Sequence, residues 1–138
     1  MLKFKIATPE KVVYEDEIRQ VSIPTMSGEI TVLPNHIPLV SVIKAGELKI
    51  VDKDGEHPIA IAGGFLEIKG NNEIVILVDH AERAGDIDVE AAEKARARAE
   101  DEMEKAKSEE NVDFAKLQAM IDREMNRVRV GEKYKDVK

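Results

Sequence analysis

The spacing of apolar residues changes period once in this chain, near Gly85, and a sequence with that change joins two differently built parts. Up to that point the period is two. Leu2, Phe4 and Ile6 alternate with polar neighbours, as do Val21 and Ile23, and Ile30 and Val32. Alternation puts such residues on one face of a strand. Two hairpins are legible. Leu48 and Ile50 run into Asp52-Lys-Asp-Gly-Glu56 and return through Ile59 and Ile61; Leu66 and Ile68 run into Gly70-Asn-Asn72 and return through Ile74, Ile76 and Val78. Gly and Asn supply the positive φ of tight turns, and β-branched residues suit pleated faces. Many short strands between frequent turns predict an antiparallel β-sandwich or flattened barrel, and the absence of βαβ alternation argues against a doubly wound sheet.

Beyond Gly85 the steps become three and four. Val89, Ala92, Ala95, Ala99, Met103 and Ala106 form one helical stripe, with Asp88 at the N-cap position. Ser108-Glu-Glu-Asn-Val-Asp113 interrupts the pattern. Asp113 is placed to cap a second helix with the stripe Phe114, Leu117, Ile121, Met125 and Val128, which Gly131 is expected to stop. So short a connection predicts an antiparallel helical hairpin, and the charged tail 132–138 is expected to fray. Charge steps at the same boundary: 27 of the 53 residues 86–138 are charged, against 22 of the first 85. The expected fold is α+β, with a β-sandwich over residues 1–84 and a two-helix domain over 85–138. Alanine buries little area, so the first helix is expected to be held weakly. Release of the hairpin and permanent docking both remain open on this reading.

Composition removes several classes of function. The chain has no cysteine, hence no disulfide framework and no thiolate metal site. Its net charge of −7 argues against general nucleic-acid binding. No apolar run approaches the ~20 residues that span a bilayer. Met1-Leu-Lys-Phe-Lys5 reads as a strand rather than a signal peptide, so a soluble protein is expected. His57 and His80 stand without a second ligand at helical or hairpin spacing, and Glu15-Asp-Glu17 reads as a solvated turn. There is no phosphate loop, and no nucleophile pairs with a histidine. No active site is expected.

The run Gly28-Glu-Ile-Thr-Val-Leu-Pro-Asn-His-Ile-Pro-Leu39, followed by Ala45-Gly-Glu-Leu48, resembles a stretch of the epsilon subunits of bacterial F-type ATP synthases. There the pattern is Gly, a short strand, Leu-Pro-Gly-His-x-Pro-Leu, then Pro-Gly-x-Leu. Asn35 here replaces glycine and Ala45 replaces proline; Asn tolerates the left-handed conformation well enough to keep the turn. Gly63-Gly-Phe-Leu-Glu67, Asp86-Ile-Asp88 and Met125-Asn-Arg127 continue the resemblance in order over nearly the whole chain. It implies a non-catalytic rotor subunit whose sandwich binds the gamma subunit and sits on the membrane c ring, at the cytoplasmic face of the membrane. It further implies that the helices extend toward the catalytic beta subunits, with alpha as a further contact, and slow ATP hydrolysis. By the same resemblance Glu29 and His36 face the c ring.

The resemblance also implies a regulatory ATP. Nucleotide-binding members carry Ile/Leu-Asp-x-x-Arg-Ala at the first helix, where this chain reads Ile87-Asp-Val-Glu-Ala-Ala92. Ala91 stands where the arginine belongs, so weakened binding is expected. Glu82, Ile87, Asp88, Ala92, Arg98, Arg123 and Arg127 match the remaining positions. Arg123 and Arg127, four apart, share a helical face, and forked guanidinium donors suit a polyphosphate. Residues 114–138 carry 7 basic and 4 acidic side chains, against 5 and 11 in 86–113. The basic helix, with Arg123, Arg127 and Arg129, is therefore suited either to its acidic neighbour within the hairpin or to an acidic surface on beta. The alternative reading is a β-sandwich adaptor that docks an acidic partner through this helix and binds no nucleotide.

Overall fold

The computed structural model describes residues 1–106 and 113–134. The predicted interruption at Ser108-Glu-Glu-Asn-Val112 and the end of the charged tail lie outside those residues. The chain divides into two compact units, Met1–Arg83 and Ala84–Lys138.

The first unit holds eight strands: β1 (Leu2–Ala7), β2 (Val12–Ile18), β3 (Gln20–Thr25), β4 (Gly28–Val32), β5 (Leu39–Ile43), β6 (Gly46–Asp52), β7 (Gly55–Lys69) and β8 (Glu73–Arg83). They run β2-β1-β8-β7-β5-β3-β4 in one sheet, and β6 bridges β7 to β3. Every pairing is antiparallel except β1 with β8, which is parallel. The sandwich is thus mixed rather than wholly antiparallel. These two strands come from the opposite ends of the domain, so the whole intervening chain is available as the long connection that parallel pairing requires. The Glu15–Glu17 segment, expected as a turn, is exposed strand paired with β1. The turn falls earlier, where the Thr8 hydroxyl accepts from the Glu10 and Lys11 backbone N–H groups.

The alternating residues fill one core. Leu2, Phe4, Ile6, Ile18, Val21, Ile23, Val32, Leu48, Ile50, Ile59, Ile61, Leu66, Ile74 and Ile76 are all buried in it. The two hairpins read from sequence share a single 15-residue strand, β7. Within it the inward parity reverses: Ile59 and Ile61 are buried before Gly63-Gly64, Leu66 and Ile68 after it. Gly63 has φ +70°, and a Cβ on Gly64 would overlap the Leu77 carbonyl oxygen and lie 2.7 Å from Val78 Cα. Only glycine lets the backbones come so close while the strand turns over.

The second unit opens with a 3₁₀ turn (Ala84–Asp86) and contains α1 (Val89–Ala106) and α2 (Phe114–Lys133). Asp88 caps α1 by accepting from the Ala91 N–H at 3.0 Å, and Asp113 caps α2 by accepting from the Lys116 N–H at 3.0 Å. The residues that α1 buries fully are Ala92, Ala99 and Ala106, seven apart. Two details differ from the sequence expectation. Phe114 and Met125 are exposed; Ile121 of the expected stripe is buried, and the other buried residues of α2 are Glu124, Asn126, Val130 and Gly131. Gly131 does not stop the helix. It is buried within it, at a point where a Cβ would lie 2.7 Å from Val89 Cγ2 and 2.9 Å from Ile87 Cγ2. Close contact with the start of α1 overrides the stop signal, and it establishes that the two helices run antiparallel.

Candidate functional site

The loop after β4 carries His36. Pro34 and Pro38 stiffen it, and Asn35 adopts φ 68°, the left-handed conformation its side chain tolerates. The Asn35 N–H donates to Asn72 Oδ1 at 2.6 Å, and Asn72 is itself left-handed at φ 62°. Asn72 also accepts from the Lys3 N–H at 2.8 Å, so the loop is tied to the β7–β8 turn and the start of β1. His36 Nδ1 lies 2.7 Å from the Ile37 carbonyl oxygen. A carbonyl can only accept, so Nδ1 is the donor in this contact. Ile37, next to it, is 74% exposed, an apolar tip on a constrained loop. Glu29 is exposed at the second position of β4, opposite Pro24. The two sequence candidates thus mark opposite ends of β4.

A surface that the sequence reading missed lies across the middle of the sheet. Val42 pairs with Phe65, and Phe65 with Leu77. Leu77 pairs in turn with Ala7. Val42, Phe65 and Leu77 are 48%, 60% and 56% exposed, so a continuous apolar row crosses three strands on the outward face. It lines a shallow groove of about 580 Å³ together with Ala7 and Pro9. Outward strand positions are ordinarily polar. Apolar residues at the outward parity, Val40 and Val42 in β5 and Phe65 in β7, were the available signal.

One end of the sandwich is fastened by a buried carboxylate. Asp52 Oδ2 accepts from the Tyr14 hydroxyl at 3.0 Å, and its Oδ1 accepts from the Asp54 N–H at 2.8 Å. His57 Nε2 comes within 2.9 Å of Oδ2, close enough to favour the carboxylate although misaligned for a directed bond. Burial by itself would raise the Asp52 pKa. The bond from the Asp54 N–H, then His57 and Tyr14, outweigh it and hold the group below the ordinary carboxylate range. Burial and the same carboxylate push the Tyr14 phenol up, against the Arg83 guanidinium 5.8 Å over its ring. The cluster clasps β2 to the β6–β7 hairpin.

On the helices, Arg123 and Arg127 do converge, and what they meet is Glu124. Arg123 Nε and Nη2 donate to Oε1 at 3.3 and 3.2 Å, and Arg127 Nη1 donates to Oε2 at 2.8 Å. Glu124 is 3% exposed. Arg129 donates to Asn126 Oδ1, and Asn126 is also buried. Ile87 packs beside Gly131, while Ala91 and Arg98 are exposed on α1. Asp88 is engaged as a cap, and Ala92 is buried. Glu82 belongs to β8 of the other unit, where its carboxylate lies 3.6 Å from His80 Nε2. Glu124 carried no signal in the sequence reading, because an acidic residue beside two arginines looks like ordinary helix surface. Among the described residues no three His, Asp or Glu gather as a metal site, and no helix is long and apolar enough to cross a membrane.

Comparison with known proteins places this geometry. The ATP synthase Delta/Epsilon chain beta-sandwich domain matches residues 1–84, and the long alpha-helix domain of the same chains matches residues 86–132. An ATP synthase epsilon chain of Desulforamulus reducens is 40% identical over 130 residues, covering 94% of this chain and 96% of that one. One of Halalkalibacterium halodurans is 37% identical over 130 residues, with the same coverage. Among solved structures, a chain in the cryo-EM structure of the Euglena gracilis mitochondrial ATP synthase (OSCP/F1/c-ring) matches with TM-score 0.73 and 20% identity, over 91% of this chain and 78% of that one. A chain of the Tetrahymena thermophila mitochondrial ATP synthase central stalk/c-ring structure matches with TM-score 0.62 and 16% identity, over 96% and 94%. The structural matches speak to the fold alone; with both domains matched in order and close relatives along almost the full length, the chain belongs to the ATP synthase delta/epsilon family.

Proposed function

We propose that the chain works as a central-stalk rotor subunit that docks on gamma through the apolar row Val42–Phe65–Leu77. Its family role is that of a non-catalytic subunit of ATP synthase. A rotor subunit must transmit torque through its interface, and a flat row of exposed apolar side chains on a rigid sheet suits a permanent partner. That exposed row is the observation that carries the proposal. The loop tip, with His36 presenting a polar ring and Ile37 an apolar contact, suits the loops of the c ring, and Glu29 adds a carboxylate at the other end of β4. Such a placement puts the protein on the cytoplasmic side of the membrane, held there by its partners.

The helices supply regulation in this reading. Arg123, Arg127 and Arg129 give α2 its positive charge, suited to an acidic surface on beta, with alpha as a lesser contact. ATP is a weak regulatory ligand of the same helix, limited by Ala91 at a first-turn position where an arginine would add a phosphate contact. The test is co-purification. Phe65→Glu, placed on the exposed face, should leave the sandwich folded and should abolish recovery with gamma and the catalytic subunits. Undiminished recovery of the assembled complex would remove the apolar row as the docking surface.

A further inference from the structure

We infer that Glu124 is a built-in anion that occupies the polyphosphate donors of α2 and sets the threshold at which nucleotide can bind. The inference rests on the nucleotide reading above and adds the group that regulates the site. Three observations support it. Glu124 is 3% exposed, and a carboxylate so buried persists as an anion only when opposite charges and donors surround it. Both of its oxygens are taken by the two arginines assigned to phosphate, Oε1 by Arg123 and Oε2 by Arg127. The Nε/Nη2 fork of Arg123, the planar pair of donors suited to a phosphate, is the pair directed at Oε1.

A triphosphate reaching this face meets guanidinium groups already neutralised. It has to draw them from Glu124 or share them with it, and in either case the buried carboxylate repels the incoming charge. Arg123, at 42% side-chain exposure, is the donor a ligand reaches first, while Arg127 is 18% exposed. Ligand capture is therefore an exchange of one anion for another. The site stays silent until nucleotide is abundant enough to win that exchange, and Glu124 rather than Ala91 alone fixes where that happens.

The experiment is a calorimetric ATP titration of the full chain and of Glu124→Gln, which keeps the shape and removes the charge. The Gln variant should bind ATP at least about tenfold more tightly, a difference of ~1.4 kcal/mol. Adding Arg123→Ala to it should cancel that gain. Equal or weaker ATP affinity in a folded Gln variant, with binding by the parent chain, would overturn the role of Glu124 and leave the nucleotide reading standing. No binding by either chain at millimolar ATP would overturn both. Glu124→Ala serves as the second variant. If both substitutions abolish the helical circular-dichroism signal of the hairpin, Glu124 serves the fold and the inference fails.

Discussion

Adding one methyl group at Gly131 should destabilise the helical hairpin, although glycine is ordinarily the worse residue in a helix. Two opposing effects can be sized. Replacing a helix-interior glycine by alanine stabilises by about 0.5–1 kcal/mol, from the backbone freedom removed in the unfolded chain. Against that, the new Cβ would stand 2.7 Å from Val89 Cγ2 and 2.9 Å from Ile87 Cγ2. Val89 is β-branched and cannot swing aside freely, and overpacking of this kind costs about 1–3 kcal/mol. The net expectation for Gly131→Ala is a loss of about 1 kcal/mol. In a background with Ile87→Ala and Val89→Ala the obstructing methyls are gone, and the same substitution should stabilise by about 0.5–1 kcal/mol. That reversal of sign is a coupling of about 2 kcal/mol, within the range seen for residues in contact. Urea unfolding combined with hydrogen exchange of the α2 amides reads it, the latter because exchange reports the local opening of these helices. If Gly131→Ala stabilises equally in both backgrounds, no close approach exists at this point and the description of the helix junction is wrong.

Asp52 should make the sandwich acid-sensitive in a definite direction. Its folded pKa is depressed, so its contribution is complete above the ordinary carboxylate range and is lost as pH falls through the lower folded value. Asp52→Asn should flatten that part of the acid limb in unfolding measured against pH, and an unchanged acid limb would contradict the assignment. At neutral pH Asp52→Ala should cost about 1–3 kcal/mol, because the Tyr14 hydroxyl loses its acceptor. Gly64→Ala places a Cβ on the Leu77 carbonyl oxygen, which no rotamer change relieves, and should cost more than 3 kcal/mol. A soluble, normally melting Gly64→Ala protein would show that β7 and β8 are not so closely apposed.

What could be read without coordinates followed from periodicity. Leu2, Phe4 and Ile6 announced a strand face, and Val89 through Ala106 a helical one, because each element is locally consistent with its burial. Asp88 and Asp113 were legible as caps because capping is decided within one turn. Apart from the acidic run Glu15-Asp-Glu17, read as a turn where β2 runs on, the failures are tertiary. Gly131 looks like a stop until Ile87 and Val89 are seen beside it. Phe114 and Met125 look like core residues until the residues α2 buries are found to be Ile121, Glu124, Asn126, Val130 and Gly131. The parallel pairing of β1 with β8 joins residues some 70 positions apart, and no local pattern carries that information. The exposed row of Val42, Phe65 and Leu77 was hidden for the related reason that apolar residues in strands are ordinarily read as interior.

The spacing of the alanines on α1 bears on how the hairpin keeps its alignment. Val89 meets Gly131 at one end of the pair, and at the other Ala106 shares a groove with Leu117 and Met120. The side of α1 turned to α2 is therefore the one that carries Ala92 and Ala99. A row of identical small side chains seven apart offers the same relief again after a slip of two helical turns, about 10 Å. Such a seam is degenerate: it permits close packing and does not say at which step. The single notch at Gly131 breaks the degeneracy, because any other residue in that place would strike Val89. Filling the notch would thus do more than weaken the pair, since it would free the helices to choose among offsets. The register of the two helices is thus fixed at a single glycine.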